Sequence, residues 1–295
     1  MSGSDAPASI AVIGCGLMGG SLAIALAQST PIRIGVEMPG HPVDRTLLER
    51  GSLTEIASLD EACARAECVV IATPVDVVCD LMIQVADRVR PGTLICDVAS
   101  VKRDVARVIE NITRTDIDIV ATHPMCGSHE HGAAAARDGL YEGATWVMTP
   151  VSQTTTRAVE RMRMLIHAAG ADAVECDAAA HDAIVASTSH LVRMVAGAVA
   201  CQAAEQPRVD GLMLAGGGLR DAIRLARGND SMWHSIIMSN GTNVAGALRS
   251  LASVLNQHAA IIELGDDDEV RTILRDGHSA AAACMADMAG PAGSP

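Results

Sequence analysis

The sequence predicts an α/β protein, a doubly wound and mostly parallel sheet followed by an all-α C-terminal region. Three observations carry this. Up to about Asp177, short apolar or β-branched segments alternate with helix-length stretches. A glycine-rich turn, GCGLMG, separates the first strand-like segment from the first helix-like one. After Asp177 the strand signals stop and the chain reads as helix.

The strand-like segments are, in order, SIAVIG, IRIGVE, CVVIATP, TLICDV, DIDIVATHP, ATWVMTP and ADAVECD, each bounded by Gly, Pro or Asp. Among the stretches between them, LMGGSLAIALAQS, VDVVCDLMIQVADRV and TTTRAVERMRMLIHAAG have helical length, as βαβ units require. Then AAAHDAIVASTSHLVRMVAGAVACQAAE reads as one long, largely apolar helix. The segment MWHSIIMSNGTNVAGALRSLASVLNQHAAIIEL continues the pattern, as does the alanine-rich tail from Val270; the final GPAGSP is expected to be disordered. The expected division is residues 1–178 for the sheet domain and 179–295 for a helical domain. So much apolar helix surface is expected to pack against a second subunit, making a homodimer.

The composition excludes several classes. Of 295 residues, 19% are charged and 49% hydrophobic, an ordinary globular balance. There is no Phe, one Tyr and two Trp, so the core must be built from Ala, Val, Ile, Leu and Met. A formal charge of -13 argues against nucleic-acid binding, which needs a basic face. Nine cysteines without short pairing fit reduced thiols in the cytoplasm. The apolar start SIAVIGCGLMGGSLAIALA lacks a positive lead-in and is broken by glycines, so it does not read as a signal peptide. No later apolar run is expected to cross a membrane.

Gly14-Cys15-Gly16-Leu17-Met18-Gly19 has the spacing of a Rossmann-type dinucleotide fingerprint. Gly14 permits the tight turn, Gly16 the approach of backbone to a pyrophosphate, and Gly19 close helix–strand packing. The N–H groups at Leu17 and Met18 would face the phosphates at the positive end of the helix. Glu37 ends the second strand, where an acid holds a ribose 2′-hydroxyl and repels a 2′-phosphate. NAD is therefore expected over NADP, with Arg33 and Arg45 the nearby charges that would let NADP in. Thr73, after the strand CVVIA, is placed on the cofactor side. No second flavin motif accompanies the fingerprint.

THPMCGSHEHG, residues 122–132, gathers three histidines and a cysteine. His129-x-His131 with Cys126 has the residue types of a metal site but not the paired spacing, and no metal is expected.

Read together, GCGLMGGS (14–21), DVASVK (97–102), HPMCGSHEHG (123–132), HD with SHL (181–182, 189–191) and GGGLRDAIRLARGNDSMW (216–233) resemble the prephenate/arogenate dehydrogenases of tyrosine biosynthesis. The motifs occur in the family's order and span nearly the whole chain. The resemblance implies hydride transfer to NAD from a cyclohexadienol carboxylate, with loss of CO₂ to give an aromatic product. It implies His123 as general base at the substrate hydroxyl, Ser100 as its hydrogen-bonding neighbour, and His190 facing the cleft. Arg224 matches the arginine that binds a substrate carboxylate, work suited to a guanidinium.

One position departs from the pattern. Typical members read SHLPH, whereas this chain has Ser189-His190-Leu191-Val192-Arg193. Arg193 brings a fixed positive charge, which would add a second carboxylate contact, adapt the site to a related substrate such as an amino-substituted prephenate, or simply pair with an acid on a neighbouring helix. A catalytically silent nucleotide-binding dimer is the alternative from another class. A β-hydroxyacid or ketol-acid reductase would share the fold without HPMCG or SHL.

Overall fold

The computed structural model describes residues 6–128, 130–205 and 215–288. His129 and the GPAGSP tail lie outside the described residues. Eight strands form one sheet: β1 (Ser9–Ile13), β2 (Ile32–Glu37), β3 (Glu55–Ser58), β4 (Cys68–Ile71), β5 (Leu94–Asp97), β6 (Asp118–Pro124), β7 (Thr145–Thr149) and β8 (Asp172–Glu175). The helices between them are α1 (Leu17–Ala25), α2 (Thr46–Glu49), α3 (Leu59–Arg65), α4 (Val75–Arg88), α5 (Arg103–Glu110) and α6 (Thr156–Ala168). The remainder is helical: α7 (Ala178–Val185), α8 (Leu191–Ala204), α9 (Gly217–Arg224), α10 (Asp230–Ser239), α11 (Gly241–Leu264) and α12 (Asp267–Met288).

The strand order is β3-β2-β1-β4-β5-β6-β7-β8. All neighbours are parallel except β6 and β7, which run antiparallel. The order reverses between β1 and β4, the switch point at whose carboxyl ends ligands bind in open sheets. The central strands are buried on both faces, as their unbroken apolar runs require. One layer packs Val78, Leu81, Met82 and Val85 of α4 and Val105 and Ile109 of α5 on the sheet; the other packs Leu22 of α1 and Met162, Leu165 and Ile166 of α6. Tyr141 stacks on Trp146 in the second layer, ring centroids 5.0 Å apart. Each satisfies its polar tip, as buried aromatics must: Tyr141 Oη donates to Met18 O and Trp146 Nε1 to Thr122 Oγ1. The scarce aromatics thus join the start of α1 to the end of β6.

The chain forms two compact units, Met1–Asn243 and Val244–Pro295. The first holds the sheet, α7 to α10 and every residue of the site described below.

Two expectations need correction. The long helix after Asp177 is not regular: Ala186–His190 forms a π-turn between α7 and α8. The whole run Ala178–Ala204 is, by length and composition, long and apolar enough to cross a bilayer, against the expectation that no such run follows the first helix. Yet it carries buried His181, Asp182 and His190, which are hydrogen-bonded within the first unit as described below, the behaviour of a core helix.

Candidate active site

The glycine turn after β1 is built for close approach. Gly14 has φ 91°, and a Cβ there would lie 2.5 Å from Ala72 O, across the β1/β4 junction. A Cβ on Gly19 would lie 2.3 Å from Gly14 O, whereas one on Gly16 would meet no protein atom within 4 Å. The protein thus requires glycine at 14 and 19 for its own packing, and leaves open space at 16. Gly16 is the N-cap of α1 and no side chain caps it, so the first-turn N–H groups at Leu17, Met18 and Gly19 are available to a ligand. Beside this turn, Thr73 Oγ1 is buried without a hydrogen-bond partner.

Glu37 closes β2, and its Oε2 accepts from Val43 N at 3.4 Å. It lines a groove of about 760 Å³ with Met38, Arg45, Ser58, Gln84 and Arg88. Arg33 is not part of this groove. Its guanidinium is buried and donates to the carbonyls of Thr30, Ser52 and Gly51 at 2.7–2.9 Å, closing the far end of β2. Of the two arginines considered beside Glu37, only Arg45 faces the groove.

His123 lies in the last turn of pleat of β6, opposite Val147 of β7. Its Nδ1 is 2.9 Å from His181 Nε2, and His181 Nδ1 is 2.8 Å from Asp182 Oδ1. The polarity of this line follows from its end. Asp182 as a carboxylate only accepts, so His181 donates from Nδ1 and accepts at Nε2. His123 then donates from Nδ1, and its Nε2 carries the free lone pair. A substrate proton would therefore be taken at Nε2, with the charge that develops shared toward Asp182.

Asp182 has a second task. Its Oδ1 accepts from Lys102 N at 2.8 Å and its Oδ2 from Arg103 N at 2.9 Å. These are first-turn N–H groups of α5, whose own N-cap, Lys102, offers no capping side chain. One carboxylate thus caps α5, orients His181 and ties α7 to the β5–α5 loop. Ser100 sits half-buried in that loop; its hydroxyl makes no hydrogen bond among the described residues, and it does not cap α5.

The π-turn explains how His190 reaches the same side. In a regular α-helix, eight residues from Asp182 would put His190 about 80° around the axis. A π-turn absorbs one extra residue, which leaves the two about 20° apart. Asn240 bridges them: its Nδ2 donates to Asp182 O at 2.7 Å and lies 3.2 Å from His190 Nδ1. The His190 ring meets Trp233 edge to face at 6.2 Å. Arg193, one turn further, donates to Leu225 O at 2.8 Å and to Asp230 Oδ1 at 3.3 Å, with its guanidinium over the Trp233 ring.

Beneath His123 lies a fully buried ion pair. Lys102 Nζ bonds Asp97 Oδ2 and donates to Thr122 O at 2.7 Å. Asp97 also accepts from Thr122 N and Ala99 N, both at 2.9 Å, and Thr122 Oγ1 donates to Asp97 O. The carboxyl ends of β5 and β6 are locked together just before His123.

Burial holds the His123 pKa well below the usual imidazole value, and the Lys102 ammonium with His181 and His190 pushes the same way. Burial likewise lowers His190, to about 4, against the opposing pull of Asp182. Asp182 itself is lowered: burial works to raise it, but the His181 hydrogen bond and the Lys102 and Arg103 N–H groups outweigh that. Both histidines are therefore neutral at pH 7. A histidine depressed in the folded state contributes stability that is complete above the unfolded value near 6.5 and lost as pH falls toward the folded one. For His190, stability is expected to fall between about pH 6.5 and 4 by about 1.4 kcal/mol per pH unit, and the lowered His123 acts in the same direction. Urea denaturation across that range checks it, and His190→Asn is expected to flatten the slope.

His181, Asp182, Asn240, Lys102 and Asp97 carry roles that reading the sequence did not assign to them. The HD and DVASVK motifs signalled four of the five. Among the described residues, Arg224 is exposed without a side-chain hydrogen bond, Arg220, Arg227 and His131 are exposed, and no group of three His, Cys, Asp or Glu side chains stands ready for a metal.

Fold and site together define a Rossmann-type protein with a neutral, carboxylate-backed histidine at the carboxyl end of its sheet. The family model "Prephenate dehydrogenase, nucleotide-binding domain" matches residues 48–175, and "Prephenate dehydrogenase, dimerization domain" matches 177–276. The chain belongs to the prephenate dehydrogenase family. It is 31% identical over 237 residues to a prephenate dehydrogenase of Bacillus subtilis, a match covering 78% of this chain and 64% of that one. Among solved structures it is similar to arogenate dehydrogenase of Synechocystis, with 25% identity, TM-score 0.79 and coverage of 93% and 99%. Prephenate dehydrogenase of A. aeolicus, in complex with hydroxyphenyl propionate and NAD+, has the same fold at 24% identity, TM-score 0.84 and coverage of 94% and 98%.

Proposed function

We propose that the protein is an NAD-dependent dehydrogenase that oxidatively decarboxylates a cyclohexadienol carboxylate of the prephenate or arogenate kind. The observation that carries this is the Asp182–His181–His123 line, which leaves His123 Nε2 as a neutral acceptor. NAD, when bound, supplies the hydride acceptor. His123 takes the hydroxyl proton of the substrate, His181 and Asp182 hold its tautomer and stabilise the imidazolium, and Ser100 lies in the adjoining loop to orient the same hydroxyl. His190 closes the site beside Trp233. Arg224 holds a substrate carboxylate, offsetting locally the chain's net negative charge. Residues 1–178 serve the cofactor and 179–295 the substrate and a homodimer contact. The exposed Val192, Met194 and Val199 of α8 and the match of residues 177–276 to the dimerization-domain model support that contact. The nine free thiols suit the cytoplasm.

The cofactor cradle fits NAD: Gly16 is open, the α1 N–H groups are uncapped, Thr73 Oγ1 awaits a partner, and Glu37 faces the groove. Glu37→Ala is expected to weaken NAD about ten- to a hundredfold, for a lost hydrogen bond to a charged acceptor, and to narrow the preference over NADP. Titration with both oxidised cofactors checks this, and an unchanged ratio removes Glu37 from the pocket.

The function is tested by following NADH formation with prephenate, arogenate and aminodeoxyprephenate. Turnover of none of them defeats it. Arg193 in place of the family's histidine favours, as a second reading, a specialised relative; preferred turnover of the amino-substituted compound would select that one.

A further inference from the structure

We infer that Arg193 is a positioning residue: it clamps the turn between α9 and α10, and so sets both Trp233 beside His190 and Arg224 at the end of α9. The part concerning substrate rests on the proposed dehydrogenase function; the clamp itself does not.

The guanidinium stands at a junction of two helix ends. Leu225 is the C-cap of α9, and its carbonyl is one that no helical N–H satisfies; Arg193 Nη1 donates to it at 2.8 Å. A cation there also faces the negative end of α9. Asp230 opens α10, and Arg193 Nη2 reaches its carboxylate at 3.3 Å. The Arg193 Cζ lies over the Trp233 ring, 5.6 Å from its centroid and within cation–π range. A Cβ on Gly228 would lie 3.2 Å from Trp233 Nε1, so the turn leaves no room for a side chain beside the indole. Trp233 is thereby contacted by Arg193 and by the turn, with its ring meeting His190 edge to face.

Both Nη atoms are engaged and the Arg193 side chain is only 12% exposed, whereas the Asp230 side chain is 96% exposed. The Asp230 pairing is therefore weak, and the Leu225 bond and the stacking carry the clamp. The residue next to Leu225 is Arg224, so the carbonyl that Arg193 grips fixes where the proposed carboxylate ligand begins. Lysine has the charge but neither the fork nor the flat face for this arrangement.

The clamp is read without substrate by acrylamide quenching of tryptophan fluorescence in the full chain. Trp146 is fully buried, so the quenchable signal is that of Trp233. Arg193→Ala is expected to raise the quenching constant about twofold and Arg193→Lys to recover only part of the loss. With prephenate and NAD, Arg193→Ala is expected to raise KM roughly tenfold while kcat changes less than about threefold, since ground-state placement is what is lost. Asp230→Ala separates positioning from direct binding. If Arg193 itself held a substrate carboxylate, removing its competitor would lower KM; a clamp predicts KM unchanged or raised. Quenching equal to that of the parent chain, or a lower KM in Asp230→Ala, overturns the inference. Raised quenching with unchanged KM overturns its link to Arg224. If the parent chain turns over none of the three candidate substrates, the proposed function fails, and the quenching comparison alone still decides for or against the clamp.

Discussion

Replacing His123 with Asn is expected to lower turnover about 10²- to 10⁴-fold, the usual worth of a general base, while cofactor affinity and thermal stability stay near those of the parent. Asn keeps a polar group of similar reach toward His181 but has no lone pair of comparable basicity to offer the substrate. Because burial and Lys102 hold the His123 pKa well below the ordinary value, the acid limb of the kcat/KM profile should fall below pH 6.5. Exhaustive chelation should leave turnover unchanged. A loss of only a few-fold, measured where chemistry limits the rate, would remove His123 from the proton transfer. Asp182→Asn should also cost activity, but part of its effect would appear as instability, because the same carboxylate caps α5.

The largest effect on stability is expected at the buried pair below that histidine. Asp97→Ala leaves the Lys102 ammonium fully buried with Thr122 O as its remaining acceptor. Uncompensated charges of this kind cost about 3–5 kcal/mol. For a unit of this size that lowers Tm by roughly 6–20 °C, which calorimetry reads directly. Lys102→Met should cost less, since Asp97 still accepts from Thr122 N and Ala99 N. It carries a second signature: without the neighbouring ammonium, the His123 pKa should rise and the acid limb move up with it. The double replacement with Leu and Met should be milder than Asp97→Ala alone. If Asp97→Ala melts with the parent, the pair does not support the fold in this way.

What was legible in the sequence was what is local. The seven strand-like segments are all strands, because unbroken β-branched runs between turn residues have few other solutions. β3 escaped notice: Glu55–Ser58 is short, half polar and at the sheet edge, where only one neighbour demands a pattern. The fingerprint was readable because its glycines act within six residues. The helical pattern after Met232 hid a break at Asn240, whose side chain serves Asp182 and His190 rather than a helix. Nothing in the letters ASTSH announces a π-turn. The motifs pointed to His123 and to the pair at 181–182, but the link between them spans 58 positions and needs the fold. Arg193 is similar: its partners lie 32 and 37 residues on.

The cap that Asp182 places on α5 also orders events in time. Lys102 and Asp182 are 80 positions apart, and at about 5–20 residues per second a ribosome needs roughly 4–16 s to cover that distance. Over that interval β6, β7 and β8 are synthesised, while the carboxylate that accepts from Lys102 N and Arg103 N is still to come. Asn240, which ties His190 to Asp182, arrives later still. The nucleotide cradle, complete within the first 75 residues, precedes them all. On the proposed function, the residues of the cofactor cradle are thus synthesised before those that orient the proposed base.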